Sequence, residues 1–225
     1  MRRRFVGIQV SESAWLAACL ALSGGFQDAY TFLCRGGVFA NAQTGNMVLM
    51  SAHLFKGEWA AAGRYVIPLL AYLLGTAAAQ AIFFRFGESK RLHWQQWVLL
   101  IEMFGLAAVG WIPDSLNPIA NALVSFVCAM QVQAFHSVRG QSYASTMCIG
   151  NLRSGAEAMC RYLYMRERRF LKIAGTYALV LFFFAFGAGI GSVLTEIGGL
   201  KSVWVCPLFL FAAFGLLFME EKEKK

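Results

Sequence analysis

Two carboxyl groups stand where an apolar stretch should carry none. Asp28 lies inside the apolar run 14–34, behind Gly24-Gly25 and next to Gln27, and Glu102 lies in Leu99-Leu100-Ile101-Glu102-Met103-Phe104. An ionisable side chain at the depth of a membrane span is costly enough to mark function by default. Removal from water favours the neutral form of a carboxyl, so two such groups suit proton coupling, and Asp28 and Glu102 are the coupling candidates. Structural roles stand beside this reading: Asp28 as the cap of a broken helix, Glu102 as the partner of an arginine.

The second chemical signal is a duplication. Gln43-Thr44-Gly45-Asn46 returns as Cys148-Ile149-Gly150-Asn151, and its surroundings return with it. Asp28-Ala29-Tyr30 matches Gln133-Ala134-Phe135, Arg35-Gly36 matches Arg139-Gly140, and Phe39-Ala40 matches Tyr143-Ala144, at offsets of 104 or 105. Leu74-Gly75 and Phe186-Gly187 hold equivalent places further on. Paired Gly-interrupted hydrophobic segments in corresponding halves point to a transport site at the interface of two repeats. In the second copy Gln133 replaces Asp28 and Gln131 flanks it; an amide hydrogen-bonds but carries no proton at ordinary pH, so a titrating site belongs to the first half.

Around each copy, glycine permits a break in the backbone, and Thr44 and Asn46 are capping residues for a helix beginning near Met47. A helix that starts inside the membrane turns free N–H groups and a positive dipole end into the protein. Two such starts, one per half, suit an anion or a polar solute. The alternative is that Gly45 and Gly150 allow close helix packing while the asparagines satisfy the broken backbone. The expected binding residues are Gln27, Asp28, Asn41, Gln43, Thr44, Gly45 and Asn46, joined by Gln133, Gly150, Asn151 and Arg153, the last lying two residues beyond Asn151 where it would reach a bound anion or snorkel to the membrane surface.

Elements to hold these residues follow from composition. Of the 225 residues, 58% are hydrophobic and 14% charged, and the mean hydropathy is +0.55, against about a quarter charged in a soluble domain. Six apolar runs, 14–34, 65–84, 94–112, 119–138, 173–194 and 202–219, approach the length that crosses about 30 Å of hydrocarbon. The expected fold is an all-α integral membrane protein of one domain, 1–225, with six transmembrane helices, two broken or re-entrant Gly-Asn segments, and inverted three-span repeats over 14–112 and 119–219. The start Met1-Arg2-Arg3-Arg4 resembles a signal peptide, but the run behind it holds the repeated motif and is read as a span.

Charge placement supports that topology. The 20 basic and 12 acidic residues give +8; in this chain the excess reads as membrane orientation, and nucleic acid is not an expected partner. If both Gly-Asn segments dip in and return, sixteen basic residues fall on one side and Arg35, Lys56, Arg64 and Lys201 on the other. If both cross fully, the split weakens and Arg153 enters the bilayer. The positive-inside rule favours the re-entrant arrangement with both termini cytoplasmic. Arg166, Arg168, Arg169 and Lys172 form a cationic collar for anionic lipid, and Glu157 and Arg161 are spaced for an i, i+4 ion pair.

Cys19, Cys34, Cys128, Cys148, Cys160 and Cys206 make no C-x-x-C pair and have no histidine at ligand spacing, so they read as packing residues, with no cofactor or metal expected. His53, His93 and His136 are isolated. No nucleophile elbow, zinc-protease helix or phosphate-binding loop is present, and the reading is not that of an enzyme.

Gly25-Phe26-Gln27-Asp28-Ala29, Phe39-Ala40-Asn41-Ala42-Gln43-Thr44-Gly45-Asn46 and Gly150-Asn151-Leu152 together resemble the YoaK-like family of bacterial multi-pass membrane proteins, a domain of unknown function, over nearly the whole chain. The family's second motif often reads Thr-Gly, where this chain has Ile149-Gly150. The resemblance implies a bacterial inner-membrane location and no substrate, reaction or cofactor. The expected function is a small secondary transporter or permease for a small polar or anionic solute, proton-coupled through Asp28. Its rivals are a passive ion or solute channel and a non-transporting membrane assembly or sensor protein. The expected partners are the bilayer and the solute or ion, with a homodimer as the assembly.

Overall fold

The computed structural model describes residues 13–87 and 93–223, with the side chains of 218–223 excepted. The basic residues Arg2, Arg3, Arg4, Lys90, Arg91, Lys224 and Lys225 lie outside the described residues, as does the side chain of Lys222. Eight α-helices carry the described chain: α1 Ala14–Cys34, α2 Gln43–Phe55, α3 Trp59–Phe86, α4 Trp94–Val109, α5 Asn117–Ala134, α6 Cys148–Met165, α7 Arg168–Gly198 and α8 Cys206–Glu223. Three stretches, Trp59–Phe86, Asp114–Ala134 and Arg168–Leu217, are long and apolar enough to cross a membrane.

The helices begin and end for local reasons. Ser13 accepts from Trp15 N at the start of α1, and His93 with Gln96 forms a capping box at the start of α4. Proline stands in the first turn of α5 and, as Pro207, of α8, where its missing N–H costs nothing. The run 202–219 accordingly splits, its first residues belonging to the 3-10 segment Gly199–Val205. The run 119–138 stops being helical at Ala134, because Ser137–Val138 leaves to pair as β1 with β2, Gln141–Ser142. Arg139 (φ 49) and Gly140 (φ 72) make that turn.

α1 is the buried centre. Leu16, Leu20, Phe26 and Tyr30 pack into one cluster with Val98, Leu99 and Leu106 of α4, Val124, Val127 and Met130 of α5, and Leu210 and Ala213 of α8. α3 and α7 lie outside, and present Leu70, Leu73, Leu74 and Phe84, and Phe182, Phe186, Val193 and Ile197, on their exposed faces. Contiguous apolar surface of this kind is what a hydrocarbon solvent permits.

Packing between the halves is exchanged. α1 lies along α7 and α5 along α3; α2 packs on α3 and α6 on α7; α4 packs on α5 and α8 on α1. The closest approaches need glycine. A Cβ at Gly187 would strike the carbonyl of Leu22 in α1, and a Cβ at Gly75 would strike that of Phe126 in α5, two positions 104 apart. Gly25 meets the carbonyl of Phe184 in the same way.

Arg35, which the charge count treats as a loop cation, is only 1% exposed. Its guanidinium donates to Val109 O (2.8 Å), Ile112 O (2.8 Å), Asn117 Oδ1 (3.0 Å) and the Tyr30 hydroxyl (2.8 Å). Tyr30 in turn donates to Leu200 O at 3.0 Å. The ends of α1 and α4, the start of α5 and the turn before α8 therefore share one end of the bundle. At the other end Gln95 Nε2 of α4 donates to Ala134 O of α5 at 2.8 Å.

α2 has 13 residues, about 20 Å of helix, too short for a span. The Lys56-Gly57-Glu58 turn, with Gly57 at φ 76, leads it into α3. There the His53 ring is hydrogen-bonded to Glu58, and this contact holds the exposed carboxyl below its usual range.

Candidate functional site

Each half sends a loop back along its own first helix. After α1, Gly36 (φ 85) and Gly37 (φ 73) turn the chain. Ala40 N donates to Thr31 Oγ1 at 3.1 Å, Asn41 N to Asp28 Oδ1 at 2.7 Å, and Asn41 Nδ2 to Gly24 O at 3.4 Å. The loop has thus returned beside residues 24–28 when α2 begins at Gln43. After α5 the β1–β2 turn does the same work, and Ser145 and Thr146 come to rest against α5 and α1. A Cβ at Gly24 would strike Thr146 Cγ2, so Gly24 is where both loops meet.

The repeated asparagines hold these loops. Asn46 Oδ1 accepts from Phe39 N at 3.0 Å and Asn46 Nδ2 donates to Phe39 O at 2.7 Å. Asn151 does the same to Ala144, at 3.4 and 2.7 Å. Phe39 and Ala144 are 105 apart, as the asparagines are, so the clamps set the register of the repeat. The glycines behave otherwise than expected. Gly45 and Gly150 lie within the first turns of α2 and α6 and neither has positive φ; the breaks fall earlier, at Gly36, Gly37, Arg139 and Gly140. The helix expected near Met47 begins at Gln43, because the clamp fixes the loop before it.

Between the loops lies a cavity of about 950 Å³. Asp28, Asn41, Gln43 and Thr44 line it from the first loop, and Thr146, Cys148, Ile149 and Gly150 from the second. Tyr72 of α3 faces the same space. The walls are mainly apolar: Phe32 and Phe39 stack at 4.6 Å, with Leu69, Leu73 and Phe184 completing them. Asn41 and Thr146 are 4% and 5% exposed, and Asn41 Oδ1 and Thr146 Oγ1 find no hydrogen-bond partner among the described residues. Unpaired buried polar atoms are rare in folded proteins.

Beside the cavity, Glu102 is fully buried. Gln27 Nε2 donates to its Oε1 at 3.2 Å and to Ser23 Oγ at 3.0 Å. Turned with its nitrogen toward Glu102, Gln131 donates to both carboxyl oxygens, at 3.0 and 3.2 Å, and accepts from Ser145 Oγ at 2.7 Å. No arginine pairs with Glu102 among the described residues; amides from both halves hold it instead.

The remaining expected site residues sit apart from the cavity. Gln27 belongs to the Glu102 cluster. Asn46 and Asn151 are buried clamps and Gly45 stands behind the wall, against the Phe39 ring. Gln133 does not repeat the part of Asp28: it donates to Gln80 of α3 at 2.9 Å, and the α5 residue that reaches its own loop is Gln131. Arg153 is exposed and does not line the cavity. Thr146 and Tyr72 were not anticipated; Thr146 was marked only by its polarity ahead of the second motif, and Tyr72 by nothing local.

Three helical stretches of membrane-crossing length and the apolar outer faces of α3 and α7 fit a helical membrane protein. Residues 16–216 match the family described as "Protein of unknown function (DUF1275)", and the chain belongs to it. No curated protein and no solved structure matches the chain.

Proposed function

We propose that the chain is a small secondary transporter or permease built from two inverted halves, 14–112 and 119–219. In this reading α1, α3, α4, α5, α7 and α8 cross the membrane, while the loops before α2 and α6 dip to mid-depth and those helices lead back to the side from which each loop entered. The exchanged packing of the halves supports it, as does the grouping of Arg35, Lys56 and Lys201 at one end and of Arg161, Arg166 and Lys172 at the other. The observation that carries the reading is the cavity between the two motif loops, with Asp28 in its wall. Irregular backbone at membrane depth is tolerated where it lines such a space.

Asp28 is the proton-coupling group in this account. Glu102 is the second candidate, linked to the second loop through Gln131 and Ser145. The test is purified protein in proteoliposomes under a pH gradient, with an internal pH dye and a panel of small solutes. Solute-dependent proton movement in the parent protein, absent from Asp28→Asn, is the expected result. A steady current in planar bilayers that ignores the proton gradient would assign a passive channel. No flux, together with one reproducibly co-purifying protein, would assign an assembly or sensor role.

A further inference from the structure

Resting on the transport reading, the geometry points to the chemical class of the solute: we propose that the cavity takes an apolar, preferably aromatic, molecule carrying a protonated amine. An anion or a polar solute was the expectation from two helix starts, each worth about half a positive charge. The wall does not complete an anion site. Among the described residues none that lines the cavity is Lys, Arg or His, and Asp28 is the one carboxyl there. The positive end of α2 is already met, since Asp28 accepts from Asn41 N two residues before that helix begins.

What the cavity offers is hydrogen-bond acceptors. Asp28, Asn41 and Thr146 all line the cavity near Gly24, where the loops converge, and Asn41 Oδ1 and the Thr146 hydroxyl, buried in its wall, have no hydrogen-bond partner among the described residues. An ammonium group has three donors and no acceptor, which matches this set, and its charge answers Asp28. Around it the stacked Phe32 and Phe39 and the Tyr72 ring present aromatic surface, which attracts cations as well as apolar groups. A volume of about 950 Å³ lies in the range of small-molecule pockets. A lipid acyl chain would fit the apolar walls but would leave Asn41 Oδ1 and the Thr146 hydroxyl unmet and the Asp28 carboxyl without a cation.

The probes are 4-phenylbutylamine and 4-phenylbutyrate, alike in shape and opposite in charge, in equilibrium dialysis against the purified full chain in detergent at neutral pH. The amine should bind saturably with a stoichiometry near one, and the carboxylate should not compete. Asp28→Asn, which keeps the acceptor for Asn41 N, should weaken the amine about tenfold or more, the scale of losing a buried charge partner. Thr146→Val, which keeps shape, should weaken it less. Equal or tighter binding of 4-phenylbutyrate would overturn the proposal. So would absence of saturable amine binding while a phospholipid stays bound through delipidation, which would assign the cavity to lipid. Binding of the amine without flux in proteoliposomes would leave this inference standing and remove the transport reading. Flux of anionic solutes without amine binding would do the reverse.

Discussion

The backbone N–H of Asn41 donates to Asp28 Oδ1 at 2.7 Å, so the carboxyl expected to carry protons is also the peg on which the first motif loop hangs. The two roles separate by substitution. Asp28→Asn keeps an oxygen for Asn41 and should fold and melt near the parent protein, while losing coupled transport. Asp28→Ala leaves that N–H unmet and should cost about 1–3 kcal/mol, read as a lower melting temperature in detergent.

The asparagine clamps should be equivalent. Asn46→Ala and Asn151→Ala each remove a pair of loop hydrogen bonds, with an expected loss of about 1–3 kcal/mol apiece, and each should expose its own loop to protease. A stable Asn151→Ala beside a damaged Asn46→Ala would break the equivalence of the halves.

Glycine sensitivity should follow helix contact and not the motif. Gly25→Ala, Gly75→Ala and Gly187→Ala push a methyl into a backbone carbonyl of a neighbouring helix and should impair folding, measured as loss of monodisperse protein. Gly150→Ala meets open space and should be tolerated.

That ordering shows what the sequence made legible. The duplication exposed the two loops and the placement of Gly75 with Gly187, and a carboxyl inside an apolar run exposed Asp28, because each left a residue type that a lipid-facing helix would not select. The roles of Gly45 and Gly150 were misread, since a Gly-Asn pair signals a turn whether glycine or asparagine makes it; here Asn46 and Asn151 work through side chains and the turning falls to Gly36, Gly37 and Gly140. Arg35 was counted as a loop charge because three of its four acceptors, on Val109, Ile112 and Asn117, lie more than seventy residues away in sequence. Gln133 aligned with Asp28, but helical phase directs it to Gln80 and gives the loop contact to Gln131. Tyr72 and the cavity arise only when α3 packs beside α2 and α5.

Gln131 should take one of two amide orientations according to the proton on Glu102. With its nitrogen toward Glu102 it serves a carboxylate and accepts from Ser145 Oγ. In the other, its nitrogen donates to Ser145 Oγ at 2.7 Å and faces Leu20 O at 3.5 Å, and its oxygen needs a protonated Glu102. Infrared difference spectra across pH should show a carboxylic acid band that is lost in Glu102→Gln and displaced in Gln131→Leu. An unmoved band in Gln131→Leu would remove Gln131 from the link.

Sidedness should follow the shared ends of the bundle. In a cysteine-free background, Ser115→Cys should react with an impermeant thiol reagent from outside sealed cells and Arg168→Cys should not. Reaction of both from one side would reverse half of the topology.

A secondary transporter of the proposed kind must open the cavity between the two loops to each side of the membrane in turn. Thr44→Cys in a cysteine-free background, needed because Cys148 shares the cavity wall, tests it in sealed vesicles of both orientations. The account predicts reaction with an impermeant thiol reagent from either side, slowed in both orientations by 4-phenylbutylamine. Reaction from one side alone under every condition, with no effect of the amine, would contradict it.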